Sequence, residues 1–313
     1  MTTSPVIAIM GPTASGKSAL ALELARRFNG EIISVDSMQL YRGLEIGTAQ
    51  PTAAERAEIP HHLVGIYDFS ERAEVFTFCR LAEQAIAGAR ARGRLPILVG
   101  GTGFYFKALL YGLDDLPADP ALRRELNEKY DSDEAEPALH ELMKQTDPEA
   151  LARWHTCRRR LIRALEVKLL CGRSLLELQQ GSASRRRRDD VRMFTLMPEA
   201  DELKQKINRR TGEMLAAGWI EEARTAIAAG LLDSPTAYQA LGYRLIGEML
   251  AGRLPVAELP GRIAVATWQY ARRQRTWFRH QHPEALQLTG ADISLPRALE
   301  KISNPAYIIE MQQ

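Results

Sequence analysis

Gly11-Pro12-Thr13-Ala14-Ser15-Gly16-Lys17-Ser18 matches the pattern G-x-x-x-x-G-K-[ST], and its flanks restrict the fold more than any other part of the chain. Before it, Val6 to Met10 is a short apolar run. After it, Leu20, Leu24 and Phe28 recur at helical spacing. A strand, a glycine-rich turn and a helix in that order make a P-loop, the motif that many nucleotide-binding proteins share. Its residue types have physical reasons: glycines let backbone N–H groups wrap a phosphate, and the helix N-terminus adds partial positive charge. Lys17 supplies a point charge and the Ser18 hydroxyl a ligand for Mg²⁺. Gly11 to Ser18 is therefore the predicted phosphate site.

The pattern continues as alternating strands and helices. Glu31 to Asp36 reads as a second strand, since Ile32, Ile33 and Val35 are β-branched and Asn29-Gly30 supplies the preceding turn. Thr77 to Arg92 reads as a helix ending near Gly93, and Ile97 to Val99 as a third buried strand. This alternation predicts an α/β fold, a P-loop-type parallel sheet flanked by helices. Beyond Tyr111 the character changes: Asp114-Asp115, Pro117 and Asp119-Pro120 mark a linker, and the stretch after it reads as helices with no strand-like run. The expected organisation is a catalytic core from residues 1–115 and 190–313 with an inserted all-helical lobe at 116–189. In that lobe Leu161, Leu165 and Leu169 should share an apolar face while Arg159, Arg160 and Arg163 point elsewhere. Gly181 to Asp190 is polar, Arg-rich and expected to be mobile. Val191 to Met197 should return to the sheet, with Leu203 to Gly218 and Arg262 to His280 mostly helical.

A chain of 313 residues with 45% hydrophobic residues can bury a sizeable core without staples. Its three cysteines, Cys79, Cys157 and Cys171, form no CxxC pair, which argues against a disulfide framework or zinc site and for the reducing cytosol. The early apolar run is too short to span a bilayer, and no basic stretch precedes it, so a cytoplasmic protein without membrane attachment is expected. A net charge of +2 neither demands nor excludes a polyanion. The arginines, however, gather at Arg158 to Arg160 with Arg163, at Arg185 to Arg188, and at Arg272, Arg273 and Arg275. Any one cluster fits a solvated face; three together favour nucleic-acid phosphate.

The Ile97 to Val99 strand ends in Gly100-Gly101-Thr102-Gly103, placing a hydroxyl where many P-loop NTPases place a metal-orienting aspartate. The best-placed carboxylate is Asp36, at the carboxyl end of the second strand, which opens on the same sheet edge as the P-loop. Its neighbourhood fits a turn-capping aspartate as well as a catalytic one.

The P-loop, Ser34-Val35-Asp36-Ser37-Met38-Gln39-Leu40-Tyr41, Gly47-Thr48-Ala49, Pro60-His61-His62, Gly100-Gly101-Thr102-Gly103, Arg163-Ala164-Leu165-Glu166-Val167 and Gln274-Arg275-Thr276-Trp277-Phe278-Arg279 together resemble the tRNA dimethylallyltransferases, also called tRNA isopentenyltransferases, of bacterial type. The resemblance runs nearly end to end. It implies transfer of a dimethylallyl group from dimethylallyl diphosphate to N6 of the adenosine immediately 3′ of the anticodon, position 37 of tRNA, with release of diphosphate. It assigns Gly11, Pro12, Thr13, Ala14, Ser15, Gly16, Lys17 and Ser18 to the prenyl diphosphate, with Mg²⁺ as cofactor on Ser18. Asp36 becomes the candidate general base, Thr102 a holder of the leaving oxygen or metal, and Arg210, with Arg209 as the alternative, the arginine that meets the diphosphate. The target adenine must leave the stack to be alkylated. Asp36, Ser37, Met38, Gln39 and Thr102 are the implied contacts to it. The helical lobe would clamp the anticodon stem–loop through Arg160, Leu161, Ile162, Arg163 and Ala164, with Arg123 or Arg124 as a further contact. No obligate protein partner is implied, and a monomer is expected. The chain departs from the family in Trp154-His155-Thr156-Cys157, where an Asn-Asp pair is often found, and it lacks the C-terminal zinc-finger pattern of eukaryotic relatives.

Rival readings account for less. A P-loop small-molecule kinase explains Gly11 to Ser18 and Asp36 but not the arginine clusters. An adenylate prenyltransferase of the cytokinin type has less use for a basic helical insertion. A non-enzymatic nucleotide switch or RNA binder needs no base at Asp36. His61-His62 has no third ligand nearby in sequence and reads as a packing or substrate-loop pair. Trp277-Phe278 reads as core rather than a base-stacking platform, and Tyr105 and Phe106 as walls of a prenyl pocket.

Overall fold

The computed structural model describes residues 5–113, 116–181 and 188–303. The described residues form two compact units, which divide between Leu110 and Tyr111 and again ahead of Arg188.

The first unit begins β1 (Val6–Met10), α1 (Lys17–Arg27), β2 (Gly30–Ser34), α2 (Ala53–Glu58), β3 (His61–His62), α3 (Val75–Ala91), β4 (Leu95–Gly100) and α4 (Gly103–Tyr111). The second contains α5 (Pro120–Tyr130), α6 (Glu136–Thr146), α7 (Pro148–Trp154), α8 (Arg158–Cys171) and α9 (Leu175–Gly181). The chain then resumes the first unit with β5 (Val191–Leu196), α10 (Ala200–Ala216), α11 (Trp219–Ala228), α12 (Tyr243–Leu250), α13 (Leu259–Gln281), β6 (Leu286–Leu288) and α14 (Leu295–Ile302).

Six strands make one sheet in the order β3-β2-β4-β1-β5-β6, every pair parallel. β1 lies at the centre, with Ile9 opposite Val99 on one side and Phe194 on the other. Every residue of β1, β2 and β4 is buried, which explains why these strands read as continuous apolar runs rather than alternating ones. One core packs Ile7, Ile9, Leu20, Leu24, Ile97 and Phe194 against α1 and α14. All strands run the same way, so the turns after β1, β2 and β4 open on one carboxyl edge, and that edge carries the site.

His61-His62 is the short edge strand β3, paired to Ile32 and Ile33, which periodicity could not reveal in two residues. His62 Nε2 lies 2.7 Å from Glu31 Oε2, and Arg92 donates to the same carboxylate at 2.7 Å. His62 thus belongs to the ion network around buried Glu31, while His61 Nδ1 lies 2.7 Å from the Ile59 carbonyl oxygen. No group of three or more potential metal ligands occurs among the described residues. Tyr105 stacks on Phe78 at 4.3 Å and Phe106 meets Phe278 edge-on at 6.2 Å; all four are core rather than the prenyl-pocket walls expected of Tyr105 and Phe106.

In the helical unit, Asp119 and Asp147 cap α5 and α7 through their side chains, each followed by proline at the helix start. Its core contains Leu126, Tyr130, Leu139, Met143, Leu161 and Leu165. Leu169 departs from the expected face and is 56% exposed. It shares the angular sector of Leu165 but lies in the last turn of α8. Spacing gives an angle about the axis, not how far neighbouring helices extend along it. Asp114 and Asp115 of the expected linker, and residues 182–187 of the Arg-rich segment, lie outside the described residues.

Candidate active site

The P-loop is shaped by backbone that ordinary residues avoid. Gly16 at the start of α1 has φ 92°, and a Cβ on Gly11 would lie 2.7 Å from the Leu196 carbonyl oxygen. Ala14, a non-glycine residue, is held at φ 62°, the kind of local strain that clusters at ligand clamps. Two distant residues restrain this loop. Gln274 of α13 accepts the Thr13 N–H at 2.9 Å and donates to the Gly101 carbonyl at 2.8 Å, tying the loop to the end of β4. Arg210 of α10 donates to Thr13 Oγ1 at 3.3 Å, whereas Arg209 is 71% exposed and pairs with Glu213. Of the two candidates, Arg210 is the one turned toward the phosphate loop.

Lys17 Nζ donates to the Pro12 carbonyl at 3.1 Å. Burial and the nearby Arg210 charge hold its pKa down at about 8, partly opposed by Asp36. An anion in the loop restores the charged form, so its binding must take up protons from solution where Lys17 is partly neutral. At pH 8, where Lys17 is near its midpoint, we expect about half a proton taken up per diphosphate bound. Affinity should fall as pH rises through 8. Titration calorimetry in buffers of different ionisation enthalpy measures this; binding heats independent of buffer would refute it.

The Asp36 carboxyl has room for both roles that its sequence neighbourhood allows. Its Oδ1 accepts the N–H of Met38 at 2.9 Å and of Gln39 at 3.4 Å, capping the turn, while Oδ2 makes no hydrogen bond to the described residues. Thr102 Oγ1 accepts the Ser37 N–H at 3.0 Å, so it tethers the Asp36 turn. Gln39 donates from Nε2 to the Thr48 and Ala49 carbonyls at 3.1 and 2.9 Å.

A cavity of about 310 Å³ brings Thr13, Ala14, Lys17, Ser18, Asp36, Ser37, Met38, Gln39 and Arg210 onto one wall system. Trp219, Tyr270, Arg273 and Gln274 also line it, with the turn residues Gly47, Thr48 and Ala49 and the apolar side chains of Met38, Ile207, Met214 and Leu241. A second cavity of about 430 Å³ shares Ala14, Lys17, Ser18, Gln39 and Arg210 with the first. Thr102, expected to hold the leaving oxygen or metal, is not among the lining residues. Trp219, Tyr270 and Leu241 are invisible in the sequence because no motif marks them. Gln274 and Arg273 sit within or beside the Gln274 to Arg279 motif, which by itself gives them no role.

In the helical unit, several arginines assigned to RNA turn out to be committed internally. Arg123 and Arg163 both pair with Glu166, which is fully buried, and Arg163 also donates to the Pro117 carbonyl at 2.9 Å. Arg158 is held by Asp131, Asp133 and Glu136. Leu161, Ile162 and Ala164 lie in the core, so their side chains cannot meet a partner as expected. Arg160 and Arg124 remain exposed on the surface. In the first unit, Arg188 pairs with Asp190 and Glu83, and Arg275 donates to the Pro198 carbonyl at 2.5 Å. Arg185, Arg186 and Arg187 lie outside the described residues. We expect Arg160→Ala to weaken RNA binding at every sequence tested and to flatten its salt slope by roughly 0.7–0.9, one phosphate contact. Filter binding from low to high salt reads this, and an unchanged slope would exclude the contact.

A glycine-rich strand-to-helix loop and a carboxylate lining one cavity at the carboxyl edge of a parallel sheet define an α/β protein with a candidate anion-binding site. Comparison with known proteins narrows the class. The IPP transferase model matches residues 39–281 and the isopentenyl transferase model residues 4–61, and the chain belongs to the IPP transferase family. It is 46% identical over 294 residues to a tRNA dimethylallyltransferase of Halorhodospira halophila, covering 93% of this chain and 94% of that one. It is 43% identical to the tRNA dimethylallyltransferase of Geobacillus thermodenitrificans over 90% and 89% of the two chains. Among solved structures, the full-length tRNA isopentenylpyrophosphate transferase of Bacillus halodurans superposes with TM-score 0.70 at 36% identity, covering 99% of this chain and 98% of that one. A eukaryotic dimethylallyltransferase acting on tRNA gives TM-score 0.79 at 26% identity over 96% and 79%.

Proposed function

We propose that this chain transfers a dimethylallyl group from dimethylallyl diphosphate to N6 of the adenosine immediately 3′ of the anticodon in tRNA, releasing diphosphate. The observation that carries this reading is the shared cavity: Lys17 of the P-loop, Arg210 and the Asp36 carboxyl line it together with the apolar side chains of Met38, Ile207, Met214 and Leu241.

An adenine exocyclic amine is a poor nucleophile because its lone pair is delocalised into the ring. In the proposed step that lone pair forms the bond to C1 of the allyl group while the C1–O bond breaks and its electron pair leaves with the diphosphate. Asp36 accepts the N6 proton, and its turn bonds through Oδ1 hold it in place without using Oδ2. Lys17, Arg210 and the N–H groups at the start of α1 balance the charge that develops on the leaving oxygens. Thr102 fixes the Ser37 end of the turn.

The exposed Ser18 hydroxyl at the cavity wall, an oxygen donor, suits a hard cation such as Mg²⁺ held mainly by substrate phosphate and water. Bound there through Ser18, it would supply further charge neutralisation of the diphosphate. Arg160 and Arg124 of the helical unit are the side chains we assign to the anticodon stem–loop. Among the described residues no helix is long and apolar enough to cross a membrane. By likeness to the family we further propose a cytoplasmic monomer.

The test is single-turnover incubation with unmodified tRNA, Mg²⁺ and radiolabelled dimethylallyl diphosphate, with AMP and ATP in parallel. Label in tRNA supports the transferase. Label only in AMP would move the chain to adenylate prenylation, and ATP consumption without transfer would make it a kinase.

A further inference from the structure

The turn from Ile46 to Ala49, part of the cavity wall, is gripped from behind by a carboxylate far away in sequence. Glu222 of α11 accepts the Ile46 N–H on Oε2 at 2.6 Å and the Gly47 N–H on Oε1 at 2.9 Å. Tyr243 of α12 donates its hydroxyl to Oε1 at 2.6 Å. Trp219, one turn before Glu222, is buried and packs edge-on against Tyr243 with ring centroids 5.7 Å apart. A Cβ on Gly47 would overlap the Trp219 indole and the Tyr243 hydroxyl, and one on Gly242 would overlap the same indole, so both glycines are required for the fit.

On its other side the turn presents the Thr48 and Ala49 carbonyls to Gln39 Nε2. Gln39 closes the turn that Asp36 opens, its own N–H resting on Asp36 Oδ1, and its amide oxygen accepts the Ser34 hydroxyl at 2.8 Å. Ala49 has φ 49°, a conformation that a non-glycine residue keeps only under restraint from its surroundings. A carboxylate suits this restraint because three donors converge on its two oxygens. A glutamine there would turn an NH₂ donor toward one of them.

We propose that Glu222 is a positioning residue for the transfer step, holding the Asp36 turn through the 46–49 turn and Gln39. This rests on the transferase reading. The P-loop lies off this relay, since its restraints come from Gln274 and Arg210. The chemical step and tRNA engagement should therefore suffer while the grip on the prenyl diphosphate does not.

The experiment compares wild type, Glu222→Gln, Glu222→Asp, Gln39→Ala and the Glu222→Gln/Gln39→Ala double variant, with both substrates varied and melting temperatures recorded. Glu222→Gln should lose roughly 10- to 100-fold in kcat, the scale of a small displacement near the chemistry, with KM for dimethylallyl diphosphate unchanged. Glu222→Asp should recover part of the loss, and the double variant should be no worse than the more impaired single variant, because both act along one relay. An unchanged kcat, additive losses, or a KM for the diphosphate that rises in step with a lower melting temperature would overturn the proposal and leave Glu222 a scaffold residue. Should wild type transfer no label, the transferase reading fails instead. The clamp itself is then read from hydrogen exchange at the Ile46 and Gly47 amides, which Glu222→Gln must accelerate if the clamp exists.

Discussion

Asp36→Asn is expected to lower single-turnover prenyl transfer by about 10²–10⁴-fold while tRNA and diphosphate binding stay near wild type. Asparagine is the informative substitution because Asp36 has two separable tasks. Its Oδ1 caps the turn by accepting the Met38 and Gln39 N–H groups, and an asparagine carbonyl oxygen accepts them equally well. What asparagine cannot do is take a proton from N6. A capping role alone predicts near-normal transfer by Asp36→Asn and a damaged Asp36→Ala; a base predicts that both are slow. Equilibrium binding of labelled tRNA and of dimethylallyl diphosphate, measured beside the transfer rate, completes the separation. Full product formation by Asp36→Asn at the wild-type rate would eliminate the general-base assignment.

The parts of this fold legible in the sequence are those whose signal is local. β1, β2, β4 and β5 are buried on both faces and announce themselves as apolar runs, and the P-loop is marked by contiguous residues. Asp36 can be placed on the P-loop edge because parallel connectivity puts the ends of successive strands together. The contacts that escape such reading act over long separations. Gln274 reaches Thr13, Arg210 reaches the same residue, and Glu222 reaches Ile46 and Gly47, each joining residues that no sequence window contains. Which arginines of a cluster are free is equally hidden. Arg158 reads as free positive charge because Asp131, Asp133 and Glu136, which pair with it, lie more than 20 residues away, whereas Arg163 meets Glu166 three residues on in its own helix, a pairing that spacing allows but does not by itself establish. β3 is silent in the sequence because two residues carry no periodicity.

Lys17→Met should reduce kcat/KM for dimethylallyl diphosphate by about 10²–10³-fold, the scale of removing one preorganised group that stabilises developing negative charge. The same variant should melt no lower than wild type. Burial and the neighbouring Arg210 hold the Lys17 pKa at about 8, below its ordinary value of 10.5, so the unliganded fold disfavours this charge. Between those two pH values the unfolded chain binds the extra proton, and the contribution of Lys17 to stability rises with pH across that window. An apolar side chain of similar length removes the penalty. The pH profile then identifies the group. For wild type, kcat/KM should decline as pH rises through about 8, where the free enzyme loses the Lys17 charge. In Lys17→Met that alkaline limb should vanish from a uniformly lowered profile. Persistence of the limb in the variant would assign the titration to another group, and a fall in melting temperature equal to that of a destabilised core would show that Lys17 supports the fold rather than the diphosphate. Loss of activity with stability retained and the alkaline limb erased is the combination that only a phosphate-gripping lysine, charged most fully when its ligand is present, produces.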